Sequence, residues 1–164
     1  VVAYNHQRHA EILASYGFDK KQIFFVLEKF VKKKILKKFL FVDSIYFLKK
    51  IKKLGQKIIL LSSGEKKFQK NKFNMLGIEK YFDEIIIVPN EKKKILTKLL
   101  KNIKDKKNWF INDKVGETLK VKEKFPDLNY VLKQSLAWPA REYRQSGLPF
   151  FPTLTQIYEY IIKH

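Results

Sequence analysis

Two rhythms of apolar and polar residues run along this chain. Up to about residue 55, apolar residues return every three or four positions, which is helical spacing. Ile12, Leu13 and Tyr16 mark the apolar side of a helix over 3–16, with Gly17 as its stop. Asp19 is placed to cap a second helix over 20–38, whose apolar side is Ile23, Phe24, Leu27, Phe30, Val31 and Ile35 and whose other side is lysine. A third amphipathic helix is predicted over 43–54, with Ile45, Leu48, Ile51 and Leu54 inward and Gly55 ending it. Beyond it the rhythm changes to short, unbroken apolar runs with a β-branched bias. Residues 57–61 read as a strand buried on both faces. Further strands are predicted over 84–88, 108–112 and 129–133, with helices over 64–76, 91–103 and 115–124 between them. Residues 138–152, which contain Pro139, Gly147, Pro149 and Pro152, read as a loop. Thr153 and Gln156 form a capping box for a last helix over 154–162.

Strands alternating with helices predict right-handed βαβ units, hence an α/β fold with a parallel sheet. In such sheets, ligands gather at the carboxyl edge. Two strands deliver polar groups there. Ile58-Ile59-Leu60-Leu61 runs into Ser62-Ser63-Gly64, and Trp109-Phe110-Ile111 runs into Asn112-Asp113, with Glu117 four residues on. Asp113 and Glu117 can share a metal ion, or Asp113 can cap the following helix while Glu117 complements its dipole. A serine hydroxyl beside free helix-start amides can hold an anion, or Ser62 or Ser63 can simply cap that helix.

Composition narrows the field. A chain of 164 residues with 45% hydrophobic content fits one domain with a real core. No apolar run reaches the roughly 20 residues that span a bilayer, and no segment has the order of a signal peptide. We therefore expect no membrane partner. Without cysteine there are no disulfides or thiolate metal sites. Together these points predict a cytoplasmic protein. The net charge of +19 suggests polyanions, yet only Arg8, Arg141 and Arg144 of the 35 basic residues are arginine. Arginine is the residue of choice for bidentate base and phosphate recognition. Lysines spread over nearly every predicted helix read as a solvated surface, so no specific nucleic-acid partner is expected. His6 and His9 lack a nearby third ligand and read as helix-surface residues. Trp138, Tyr143, Phe150 and Phe151 are expected to pack their loop onto the sheet.

The order of these motifs resembles the haloacid dehalogenase-like (HAD) hydrolase superfamily, mostly magnesium-dependent phosphatases. The apolar strand ending in Ser62-Ser63-Gly64 is similar to the family's second motif, and Phe47 through Gly55 to its lead-in. Lys92, Lys93 and Lys94 compete for the third-motif lysine, and the spacing to Ile95 and Leu96 favours Lys92. Asp113 and Glu117 match the fourth motif, with Asn112 where the family commonly has glycine. The resemblance covers about residues 40–164.

It implies a Rossmann-like three-layer parallel sheet over 41–164, with residues 1–40 as a small helical cap. It also implies hydrolysis of a phosphorylated small molecule through a phosphoaspartate. Ser62 and Lys92 would be catalytic, Ser62, Ser63 and Gly64 would bind phosphate, and Asp113 and Glu117 would bind Mg2+. One departure stands out. The family's first motif, Asp-x-Asp-x-Thr/Ser, supplies the nucleophile, and no Asp-x-Asp occurs in these residues. We therefore expect an N-terminally truncated chain without its first, central strand, unstable or inactive alone, whose full-length parent is a phosphoric monoester hydrolase. The alternatives are a noncatalytic binding domain of the same fold and, behind it, a basic nucleic-acid-binding protein.

Overall fold

A computed structural model of the chain describes residues 6–30, 33–88, 92–100 and 108–164. They form mixed α/β structure in two compact units, Val1–Ile95 and Leu96–His164.

In the first unit, helices α1 (His6–Ser15) and α2 (Lys20–Phe30) pack together. The Asp19 carboxylate accepts the Gln22 amide at 2.8 Å, so the expected cap is in place. Where one helix was expected over 20–38, a short α3 (Lys33–Leu36) and a 3-10 turn (Lys37–Phe39) follow α2, while residues 31–32 lie outside the described residues. The inward faces also differ from expectation. In α1, Ala10 is buried while Ile12 and Tyr16 are exposed. In α4 (Ser44–Lys53), Ser44, Phe47 and Leu48 are buried and Ile45 and Leu54 are exposed. Spacing alone cannot choose between two overlapping stripes; the large Phe47 ring settles on the inner one.

Strand β1 (Ile59–Ser63) begins two residues later than the apolar run suggests and takes both serines into the ladder. It pairs in parallel with β2 (Glu84–Val88), Ser62 opposite Ile87 and Ser63 opposite Val88. Between them, α5 runs from Lys66 to Leu76 and ends at Gly77, in the left-handed conformation that favours glycine. Asp83 ties the two strand starts together. Its carboxylate accepts the Ile58 amide at 2.6 Å and pairs with Lys52, and its own amide donates to Ile58 O at 2.9 Å. These contacts, the Lys52 hydrogen bond foremost, hold the Asp83 pKa below its ordinary value of 3.8. Helix α6 (Lys92–Leu100) follows.

The second unit carries the sheet β3 (Trp109–Asn112), β4 (Asn129–Lys133), β5 (Phe150–Phe151), all parallel, with β4 in the middle. Helix α7 (Val115–Lys124) packs on β3 and β4, and α9 (Leu154–Ile161) on β4 and β5. Strand alternation sorts the side chains. Asn112 turns toward Thr118 of α7, whereas Trp109 and Phe151 meet the Tyr160 ring of α9 at 5.7 and 5.2 Å between centroids. The expected loop over 138–152 holds two elements that its prolines conceal. Pro139 stands at the N-cap of α8 (Ala140–Gln145), a place where proline does no harm, and Phe150–Phe151 is β5. Thr153 caps α9, its hydroxyl oxygen accepting the Gln156 amide at 3.2 Å.

No helix among the described residues is long and apolar enough to cross a membrane.

Candidate functional site

The residues singled out from the sequence fall in both units. In the first, Ser62, Ser63 and Gly64 occupy the carboxyl end of β1. The Gly64 amide donates to Val88 O at 3.0 Å and extends the ladder by one position. Gly64 has φ +146°, and a Cβ there would lie 2.7 Å from the Gln69 side-chain nitrogen. Only glycine fits this close approach. Gln69 is buried beneath it, its Nε2 donating to Ser63 O at 3.4 Å.

Neither serine caps α5. The N-cap is Glu65, whose side chain makes no cap hydrogen bond. That first turn contains Lys66 and Lys67 and no acid, so positive side chains reinforce the positive end of the helix dipole. A helix start with this charge and no N-cap side-chain bond suits an oxyanion. Lys92 opens α6 as expected; the side chains of Lys92, Lys93 and Lys94 lie outside what the structure describes.

In the second unit, Asp113 follows directly on β3 and Glu117 lies in the first turn of α7; both are half-buried. The turn between them is closed by polar contacts. Thr118 is fully buried, and its hydroxyl donates to Lys114 O at 2.8 Å. The Asn112 amide group donates to the Thr118 hydroxyl oxygen at 3.3 Å. The Asn112 side chain therefore turns back into the loop and helps to close it. The N-cap of α7 is Lys114, without a side-chain cap bond. The Asp113 carboxylate is therefore not used to cap the helix.

Tyr143 secures the strand end. It is fully buried, and its hydroxyl donates to Asp113 O at 2.7 Å while accepting the Ser135 amide at 3.1 Å. Burial, foremost, pushes its pKa up; the Ser135 amide pulls the other way, and the charges of Asp113 and Glu142 add to the rise. The phenol therefore keeps its proton and remains a donor. Its sequence reading as a residue that packs the loop is correct as far as it goes, since its ring lies 5.7 Å from that of Phe150. The hydrogen bonds, which join three separate stretches of chain, left no mark in the sequence.

Lys133 was overlooked. It ends β4 and is only 7% exposed. The rule that singled out Asp113, a polar residue closing an apolar strand, applies equally to it.

For magnesium, the second unit offers two half-buried carboxylates at one strand-to-helix turn. The donor chemistry fits a hard ion that keeps several of its waters and takes one or two carboxylates. No group of three or more His, Asp or Glu side chains poised for a metal occurs among the described residues. No family model matches the chain, and no curated protein is significantly similar to it.

Proposed function

We propose that this chain belongs to a HAD-like hydrolase, a magnesium-dependent phosphatase that acts on a phosphorylated small molecule through a phosphoaspartate. The observation that carries this reading concerns the edges of two strands. β1 and β3 are apolar runs of the kind that fill the middle of a parallel sheet, and both end in polar residues. Yet among the described residues β1 has β2 as its single ladder partner, and β3 has β4 alone. Both are half-buried along their whole length, while β4, paired on both sides, is buried at all but its first residue. An unpaired edge leaves backbone N–H and C=O groups unsatisfied in a position whose side chains call for burial. Each edge, in its own unit, suits a sheet that a further strand extends, and in the HAD-like reading such a strand carries the nucleophilic aspartate these residues lack.

In this reading Ser62, Ser63 and Gly64, with the first-turn amides of α5, hold phosphate oxygens. Lys92 neutralises charge on the phosphate and the nucleophile. Asp113 and Glu117 hold Mg2+, which supplies the charge neutralisation that dominates phosphoryl transfer. Tyr143 fixes the backbone from which Asp113 projects. Residues 1–40 form the cap.

The test is a phosphatase assay on the protein expressed from the gene's whole open reading frame. We expect magnesium-dependent release of phosphate from p-nitrophenyl phosphate, abolished by EDTA and reduced at least a hundredfold in Asp113→Asn. A folded full-length protein that releases no phosphate from a broad panel of monoesters would sink the reading and favour a noncatalytic domain of this fold.

A further inference from the structure

Helix α4 is apolar on two sides, and only one of them is covered. Ser44, Phe47 and Leu48 are buried. Ile45, Tyr46, Lys49 and Lys53 recur at helical spacing on the opposite side, and all four are exposed. The chain leading into the helix is bared in the same way, with Phe39 72% and Val42 104% exposed. An apolar helix side ordinarily faces the core. Two aliphatic side chains and two aromatic rings left in water within eight residues of sequence mark a surface that meets a partner.

Charge identifies the partner. Lys37 and Lys38 precede the apolar stretch, and Lys49 and Lys53 follow it on the side of the helix that carries Ile45 and Tyr46; all are exposed. Asp43 is the one acid between Lys37 and Lys53. Over residues 6–55 the sequence has thirteen lysines and arginines against four acids. A second copy of the chain would set these lysines against their like, so charge disfavours it. An apolar stripe bracketed by lysines fits the interface of an anionic bilayer. Apolar side chains enter the acyl boundary, and the long lysine stems let the ammonium groups stay among the headgroups. A fluid surface also takes up a side chain as prominent as Val42 without a matching pocket. Lying on a bilayer needs neither a run of spanning length nor an apolar leader, so the expectation of no membrane partner, which rests on those two features, does not bear on it.

We propose that the outer side of α4, with residues 39–42 before it, docks on an anionic membrane surface. Val42, Ile45 and Tyr46 enter the interface, and the lysines at either end meet acidic lipid headgroups. The proposal does not rest on the phosphatase reading.

The experiment is co-sedimentation of the full-length protein with vesicles of equimolar phosphatidylcholine and phosphatidylserine, and with vesicles of phosphatidylcholine alone. We expect binding to the acidic vesicles to be at least about tenfold tighter. With a net charge of +19, adsorption by bulk charge is the competing outcome. Ile45→Ser combined with Tyr46→Ser separates the two, because it removes apolar surface and no charge. Binding should fall about tenfold in this double variant. Leu136→Ser, at an exposed apolar position of the second unit, should leave it unchanged. A spin-labelled lipid in the acidic vesicles gives a readout on the wild-type protein that needs no variant, and it should broaden the amide signals of residues 42–49 first. Wild-type protein that stays in the supernatant overturns the proposal. So does undiminished binding by the folded double variant, which would assign the attraction to bulk charge. Broadening that spares Ile45 and Tyr46 overturns it too, since the stripe then meets something other than lipid. A dimer formed without lipid and dissolved by the double variant, with no vesicle binding, assigns the stripe to a second copy and overturns it as well.

Discussion

The two units of this protein are built from similar sequence and packed to different degrees. Of the fifteen large apolar residues that are clearly exposed among the described residues, twelve lie in the first unit, from Ile12 to Met75. The largest fully buried side chains (Tyr143, Leu132, Ile157, Val121, Val131 and Thr118) all belong to the second. Within the sheets, the difference follows from strand count. A sheet of three strands has an interior strand, β4, that can be covered above, below and on both edges. A sheet of two strands has none, so β1 and β2 stay half-exposed along most of their length even though Ile59-Leu60-Leu61 and Ile85-Ile86-Ile87 are as apolar as anything in β4. Apolar character sets what a strand can bury, and its neighbours decide how much of it is buried.

The comparison can be broken most sharply at its extremes. Leu132→Ala in the middle of β4 should cost about 2–5 kcal/mol, the range for emptying a tightly packed core position. Leu60→Ala in β1 should cost clearly less, because the side chain is already half-exposed. Urea unfolding of the two variants of the full-length protein checks this, and equal losses would erase the contrast.

Tyr143→Phe comes next. It deletes one hydroxyl and leaves Asp113 O and the Ser135 amide without that partner, at a cost of about 1–3 kcal/mol. The same urea measurement reads it, and a neutral substitution would show that ring packing alone holds α8. Gly64→Ala is of similar size, about 1–3 kcal/mol, from a backbone conformation reserved for glycine and a collision with Gln69. In the full-length protein it should also weaken phosphate binding, because Gln69 and the β1 end must shift. A variant with unchanged stability would mean that the Gln69 side chain yields freely.

The smallest effect is electrostatic. Asp83 has its folded-state pKa lowered, so the stability it contributes is present above its ordinary value of 3.8 and is lost as pH falls through the lower folded value. Asp83→Asn should therefore lower stability modestly at pH 7 and converge with wild type in acid. A gap that persists once the Asp83 carboxyl is fully protonated would place the contribution in packing instead.

How much of this was legible in the sequence varies by element. β2, β4 and α7 lie where hydrophobic periodicity sets them, because each is an uninterrupted run flanked by turn residues. β1 is displaced by two residues. A ladder with β2 carries its pairing through Ser62 and Ser63, and composition alone gives no reason to extend an apolar strand into serines. Helix α8 was invisible because three prolines and a glycine surround it, although Ala-Arg-Glu-Tyr-Arg-Gln is good helix-forming sequence. The inner faces of α1 and α4 were misjudged because apolar residues occur on both sides of those helices. At the candidate site, Asp113, Glu117, Ser62 and Gly64 stood out by their place at strand ends. Tyr143 and Gln69 did not. Their part in the site depends on tertiary contacts between residues 30 and 6 positions apart, to which no local pattern corresponds.

We propose that the carboxyl edge of β3 binds a divalent metal. The most direct test is Mn2+ titration of the full-length protein, observed as paramagnetic broadening of backbone amide signals. Selective loss of the Asp113, Lys114 and Glu117 signals at low Mn2+, reversed by excess Mg2+ and absent in folded Asp113→Asn, is the predicted result. Broadening spread evenly over exposed acidic residues, and unchanged in Asp113→Asn, would contradict it.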